Sequence, residues 1–399
     1  MDEKFWQFIE KNRDKNPSEL RLKYSGKTDD GIDYEQAITQ IECRRKYGKK
    51  LSLTLAASGD RFIFPGTLAG EQSTSDALAQ WHAGLVSVGA TVTDMTAGLG
   101  IDCLHIARKA REVRAIERDS RLCDALRQNA KTLDINNLSV TCDDSVSLLK
   151  AGEIVGDIVF IDPARRSATG GRVFAIQDCE PDLTSLLPDM RKCFSTLIAK
   201  LSPMLDITEV TRSLPGITDI YAVGTGQECK EVVAVVNLKE TDTAAVNIHA
   251  VSVSTDGVAM DLSFTAAEEA GCKTPFAVPA AGDYLYEPLP AVMKSGGFNV
   301  LGDRFGLGKL SGNTHIYISK ELKSEVPADI FRIEEVIPWQ SKNLKRLSKK
   351  YPVGEVAVRN LGMSAEALRK KIGVRNGSGV RILGVTGADG ERNLLVLRR

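Results

Sequence analysis

The chain has 399 residues, 43% of them apolar and 26% charged, with 52 basic residues against 52 acidic ones. That length exceeds one ordinary core and implies about two to four globular domains. No apolar run approaches the ~18–20 residues that cross a bilayer, which excludes a membrane-spanning helix.

The opening Met1-Asp2-Glu3-Lys4-Phe5 lacks the basic and apolar blocks of a secretory signal. Phe5, Trp6, Phe8 and Ile9 share one helical face, and Asp33–Tyr47 repeats that periodicity, so residues up to about 85 read as mostly helical. Glu71-Gln72-Ser73-Thr74-Ser75 offers hydroxyl caps to a helix running through Trp81. From Ala90 the pattern becomes strand and helix in alternation. Strands are expected at Ala90–Met95, Val113–Ile116, Leu138–Cys142, Ile158–Ile161 and Leu197–Ala199, and helices at Cys103–Lys109, Asp119–Leu133 and Asp182–Cys193. Single helices between strands imply parallel βαβ units. Ile220–Ala222 and Val232–Asn237 form a closing antiparallel pair in this reading. Asn247–Val253 and Ala259–Phe264 read as a hairpin, followed by helices at Pro290–Lys294 and Phe298–Phe305 and a strand at His315–Ser319. The tail alternates strand Ile330–Val336, helix Asn343–Lys349, strand Glu355–Val358, helix Ser364–Ile372 and a hairpin of Arg381–Val385 with Leu394–Leu397.

Charge is balanced overall but not locally: residues 331–399 hold 15 Lys and Arg against 6 Asp and Glu. A basic tail on an acidic body points to a polyanionic partner or to a solvated lysine face. Trp339 and Tyr351 flank the cluster Lys342–Lys350 and read as base-stacking rings or as apolar anchors. The eight cysteines contain no CxxC pair, so neither a zinc site nor a disulfide scaffold is expected, and a reducing cytoplasm fits the chain.

The segment that carries chemistry is Asp94-Met95-Thr96-Ala97-Gly98-Leu99-Gly100-Ile101-Asp102, at the turn from first strand to first helix. Glycines there let backbone approach a ligand, and doubly wound sheets bind ligands at the carboxyl ends of their strands. The next strands also end in acids: Glu117-Arg118, Asp143-Asp144 and Asp162-Pro163-Ala164-Arg165-Arg166. Such acids grip a nucleoside or merely cap the helices that follow. A dinucleotide loop has a third small residue where Cys103 stands, and Asp94 repels a pyrophosphate but attracts an ammonium, so a methyl donor is favoured over NAD.

These residues resemble class I S-adenosylmethionine-dependent methyltransferases, specifically a bacterial family with a THUMP-like C-terminal domain. The glycine loop looks like that of RNA guanine methyltransferases, and Asp162-Pro163-Ala164-Arg165 is similar to an Asp-Pro-Pro-Arg catalytic loop. Glu71–Ser75, Lys200–Asp206 and Glu228–Glu231 look like further elements of that family.

The resemblance implies an α/β architecture with a Rossmann-like class I methyltransferase sheet over 86–240. A helical region over 1–85 precedes it, and a ferredoxin-like α+β domain over 241–328 and a basic THUMP-like α+β domain over 329–399 follow. It implies S-adenosylmethionine held by Asp94, Thr96, Ala97, Gly98, Gly100, Glu117, Arg118, Asp144 and Asp162, with Asp162, Pro163 and Arg165 facing the acceptor, and RNA as the partner of the basic domain. Two rivals stay open: a protein or small-molecule acceptor, and an RNA-binding protein that has lost catalysis, because the usual aromatic after the prolines is absent. A carbon-methylating variant needs a nucleophilic thiol, for which Cys229 beside Lys230 is the candidate. His82, His105, His249 and His315 lack metal spacing and read as core or surface imidazoles.

Overall fold

Apolar runs too short for helices become buried strands, and hydroxyl or acidic residues at their ends start the helices that follow. The computed structural model describes residues 2–27, 31–165, 176–242 and 245–399. The chain forms two compact units: Met1–Ile220 with Glu231–Val246 and Val253–Ala259, and Tyr221–Lys230 with Asn247–Ser252 and Met260–Arg399.

The first unit begins with six helices: α1 (Glu3–Asn12), α2 (Pro17–Tyr24), α3 (Tyr34–Tyr47), α4 (Ser52–Ala57), α5 (Thr67–Gln72) and α6 (Asp76–Leu85). Phe5, Phe8 and Ile9 of α1 bury against Leu20, Ile38 and Ile41, the amphipathic packing their spacing calls for. Ser75 caps α6 through its side chain to the Leu78 N–H.

The alternating segment follows as β1 (Thr91–Asp94), α7 (Ile101–Ile106), β2 (Glu112–Glu117), α8 (Ser120–Thr132), β3 (Leu138–Cys142), α9 (Ser145–Ala151) and β4 (Ile158–Ile161). A two-stranded ribbon pairs β5 (Ala164–Arg165) with β6 (Cys179–Glu180). Then come α10 (Leu183–Cys193), β7 (Thr196–Leu201), α11 (Ile207–Ser213), β8 (Ile217–Gly224) and β9 (Cys229–Asn237). The strand order is β8-β9-β7-β4-β1-β2-β3. β1 pairs in parallel with both β2 and β4, β2 with β3 and β4 with β7, while β9 runs antiparallel to β7. All four residues of β4 are buried, as expected of a central strand covered on both faces. The order reverses between β1 and β4, and a crevice opens beyond the carboxyl ends of strands at such a switch point.

The hairpin segment is β10 (Asn247–Ser254) and β11 (Gly257–Thr265), followed by α12 (Ala266–Gly271), β12 (Tyr284–Pro288), α13 (Pro290–Ser295), α14 (Phe298–Arg304), β13 (Gly308–Lys309) and β14 (Tyr317–Ser319). The tail adds β15 (Ala328–Pro338), α15 (Ser341–Lys350), β16 (Val353–Arg359), α16 (Ala365–Ile372), β17 (Arg375–Thr386) and β18 (Arg392–Arg398). One sheet in the order β13-β14-β12-β15-β18-β17-β16 organises the second unit. Leu344 and Leu347 of α15 and Leu368 and Ile372 of α16 bury together under this sheet's end. Lys342, Lys345, Arg346, Lys349, Lys370 and Lys371 are left exposed.

Candidate active site

The turn after β1 is held by main chain on both sides: the Met95 N–H donates to the Phe160 carbonyl at 3.0 Å and the Ala97 N–H to the Ile116 carbonyl at 3.0 Å. Gly98 and Gly100 take φ of +54° and +82°, which side-chain-bearing residues adopt at a cost. Their reasons differ. A Cβ on Gly100 would stand 2.2 Å from Leu126 Cδ1, so that glycine serves close packing on α8. A Cβ on Gly98 would meet nothing nearer than the Thr96 carbonyl at 4.0 Å, so its bare face is turned to open space.

Asp94 ends β1 at 2% exposure. Its Oδ1 accepts the Thr96 N–H at 2.9 Å and its Oδ2 the Cys103 thiol at 3.0 Å. Burial pushes its pKa up to about 7, with Asp102 and Asp162 adding like-charge repulsion. Asp162, after β4, sets Oδ2 2.6 Å from Lys200 Nζ, and its N–H donates to Thr96 Oγ1 at 2.7 Å.

Behind these groups lies a buried network. Lys200 donates to Thr74 Oγ1 at 2.9 Å, and Thr74 Oγ1 donates to Asp102 Oδ2 at 2.5 Å. His82, fully buried, sets Nδ1 2.7 Å from Asp102 Oδ1 and Nε2 2.6 Å from Glu231 Oε1. Burial works against the imidazolium, but Glu231 and Asp102 outweigh it and raise His82 to about 9. Burial likewise opposes charge on Asp102 and Lys200, yet Lys200 and His82 hold the Asp102 carboxyl far below the usual range, and the surrounding acids hold Lys200 far above its own.

Asp94, Thr96, Ala97, Gly98, Gly100 and Asp162 line one narrow cleft of about 90 Å³, open to solvent, with Thr74 and Asp102 also in its wall. Glu117 reaches the loop differently: its Oε2 accepts the Gly98 N–H at 2.9 Å, and its Oε1 accepts the Arg118 and Asp119 N–H groups at 2.8 and 2.9 Å. Arg118 and Asp144 do not line the cleft. Asp144 caps α9 through Ser147, whose N–H and hydroxyl both bond its Oδ2. Pro163 is buried, while the Arg165 side chain and Arg166 lie outside what the structure describes. Lys230 is paired with Glu228 rather than held for Cys229, whose thiol donates to the Val223 carbonyl at 3.5 Å.

The buried network was not anticipated from sequence: His82 read only as a core or surface imidazole, and Thr74, Asp102, Lys200 and Glu231 were visible only as members of the Glu71–Ser75, Asp94–Asp102, Lys200–Asp206 and Glu228–Glu231 segments. No local pattern announces a pairing of His82 with a carboxylate 149 residues away. On either side of α15, Trp339 is partly buried against the core, with Lys371 Nζ 5.2 Å above its ring, and the Tyr351 hydroxyl donates to Glu335 Oε2 at 3.0 Å. Both rings are therefore engaged as anchors.

Family models match three stretches of the chain: residues 77–169 to "Conserved hypothetical protein 95", residues 284–327 to a ferredoxin-like domain and residues 328–399 to a THUMP domain-like model. A crystal structure from Porphyromonas gingivalis W83, assigned as a methyltransferase, is 31% identical, with 100% of this chain and 99% of that one covered and a TM-score of 0.85. A Streptococcus mutans protein, likewise assigned and crystallised with S-adenosylhomocysteine, is 11% identical over 40% of this chain and 95% of its own, with a TM-score of 0.30. An uncharacterised protein of Acanthamoeba polyphaga mimivirus is 41% identical over 73 residues, which spans 18% of this chain and 28% of the viral protein.

Proposed function

The chain belongs to the methyltransferase family of the Porphyromonas gingivalis protein, and from that premise we propose that it moves a methyl group from S-adenosylmethionine to a base of RNA. The cleft suits this donor on its own chemistry. Carboxylates at Asp94, Asp102 and Asp162 favour a cationic ligand and repel a pyrophosphate, and the bare face of Gly98 leaves room for a ligand against main chain. The donor, when bound, supplies a methyl group already activated by its sulfonium.

What the chain supplies is proximity and orientation. Asp94, with Thr96, Ala97, Gly98 and Gly100, holds the amino-acid end of the donor. Glu117 offers the ribose the lone pairs its backbone partners leave, and Arg118 and Asp144 extend the site toward the adenine. Asp162 orients the acceptor: Lys200 occupies Oδ2, and Oδ1 has no partner among the described residues, so it accepts a hydrogen bond from an exocyclic amine and turns the nitrogen lone pair toward the methyl. Pro163 stiffens the loop and presents its carbonyl as a second acceptor. Arg165 stacks its guanidinium on the base or meets a phosphate. The exposed lysines and arginines of α15 and α16 hold the RNA backbone.

The observation that carries this reading is a carboxylate, Asp162, fixed by Lys200 and Thr96 at the mouth of a glycine-turn cleft. The test is single-turnover transfer of labelled methyl from S-adenosylmethionine to total RNA, alongside calorimetry with the donor. Transfer to RNA that Asp162→Ala abolishes while the donor still binds supports it. Full transfer by Asp162→Ala overturns the role of Asp162. Label on protein or small molecules but not on RNA moves the acceptor, and donor binding without transfer leaves a binding protein.

A further inference from the structure

The hairpin from β13 to β14 carries two nitrogen groups that no other side chain or backbone group among the described residues partners: the His315 Nδ1, closed off from solvent, and the Lys309 ammonium, which reaches solvent at its tip. Lys309 is 7% exposed, and among the described residues its ammonium has no hydrogen-bond or ion-pair partner; Nζ lies 5.8 Å from the centroid of the Phe298 ring. His315 stacks on that same ring, with centroids 3.6 Å apart and planes at 23°, and its Nδ1 is buried with no hydrogen-bond partner among the described residues. Burial lowers the basicity of both groups, and Lys309 lowers that of His315 further. Glu269 partly offsets the Lys309 charge, but its carboxylate is spent on the Asn299 and Val300 N–H groups at the start of α14. Tyr317, the other titratable neighbour, donates its hydroxyl to the Phe298 carbonyl.

Native folds rarely leave a buried polar nitrogen such as His315 Nδ1 without a partner. The connecting loop is also built rather than slack. Ser311 and Thr314 bury their hydroxyls against each other at 3.2 Å, and His315 is held at φ +48°, a conformation that a residue with a side chain keeps only when its surroundings impose it. Gly312, at the tip, has open space where a Cβ would stand. We infer that Lys309 and His315 form a binding site for a phosphate group, with Phe298 as its apolar wall. A compact oxyanion would give the ammonium its counter-charge and the imidazole an acceptor in one step. The phosphate belongs to an RNA backbone or to a free phosphate or monoester. The site stands independently of the methyltransferase cleft.

The test uses the full chain. The His315 imidazole is followed by NMR while inorganic phosphate, and separately a short single-stranded RNA, is titrated in. Phosphate shifts the His315 resonances and raises its pKa, and Lys309→Met weakens binding at least ~10-fold, as loss of a charge-assisted contact would, without lowering the unfolding midpoint of the free protein. Lys309→Arg retains binding. Competition by RNA assigns the phosphate to a nucleic-acid backbone, and its absence assigns it to a free phosphate or monoester. An unmoved His315 signal, equal phosphate affinity in Lys309→Met, or a Lys309→Met chain that unfolds earlier than the parent would overturn the proposal.

Discussion

Behind the glycine loop, His82, Asp102, Glu231 and Lys200 each meet an opposite charge, and the bonds run on through Thr74. In the second unit the buried charges are answered less completely. Glu287 meets Arg381 at 2.6 Å and Arg359 at 3.4 Å, yet among the described residues Glu287 Oε1 and Arg381 Nε make no hydrogen bond and Lys309 has no counter-ion bonded to it. The first cluster is closed: each member is held by the others, so its worth is geometric precision at the cleft wall. The second is open at one end, where a ligand has something to add. A closed network responds to mutation by losing stability, and an open one by losing a ligand.

The sharpest way to break this comparison is to remove the centre of the closed network. His82→Leu leaves Asp102 and Glu231 buried without their shared cation, and urea denaturation should register a loss of about 3–5 kcal/mol. If His82→Leu cost no more than Lys309→Met, the distinction would fail. Next come the two glycines. Gly100→Ala drives a methyl into Leu126 on top of its left-handed φ and should cost about 2–3 kcal/mol by the same measurement. Gly98→Ala meets no protein atom and should cost about 1 kcal/mol from backbone strain alone, while calorimetry with S-adenosylmethionine shows the larger loss.

pH sharpens the contrast further. His82 titrates at about 9 when folded against 6.5 as a free side chain. Its raised pKa means that the ion pairs contribute fully below pH 6.5 and are lost as pH climbs through about 9, which a pH series of unfolding free energies measures. Asp94, at about 7 against 3.8, behaves in the opposite sense to a normal salt-bridged acid: ionising it in the fold costs stability as pH rises through that interval. A docking ammonium reverses this, so donor binding below pH about 7 should expel a proton from Asp94, visible as a buffer-dependent binding enthalpy. The smallest effect belongs to single lysines of α15 and α16. Lys345→Ala or Lys370→Ala should reduce the log–log salt slope of single-stranded RNA binding by ~0.7 each, with unfolding unchanged.

Much of the central sheet was legible because it is coded locally. Leu138–Cys142 alternates apolar and hydroxyl residues and Ile158–Ile161 is an unbroken apolar run, and both form strands with those bounds. Asp119 and Asp182, read as the first residues of helices, are the caps just before them. α9 and α11 went unseen because each is 7 residues long and buries only two of them, Ser145 and Leu149 in one and Ile207 and Val210 in the other, too few to display an apolar stripe. Asp144, read as a ligand acid or a helix cap, does bond Ser147 as the cap of α9. The glycine loop and its acids were readable because conformation and charge are properties of single residues. The network of His82, Asp102, Glu231 and Lys200 was not, since its members come from α6, α7, β9 and β7 and meet only once the sheet has closed.

The seven-stranded sheet of the second unit has a consequence for how this part of the chain is inherited and handled. The ferredoxin-like match ends at 327 and the THUMP-like match begins at 328, but β12, on one side of that division, pairs along its whole length with β15, on the other. Cutting there would strip β15 of a neighbour and expose a row of main-chain donors and acceptors ready to recruit a foreign strand. The two segments therefore behave as one cooperative piece, and a fragment carrying only residues 328–399 should self-associate where the intact pair stays monodisperse.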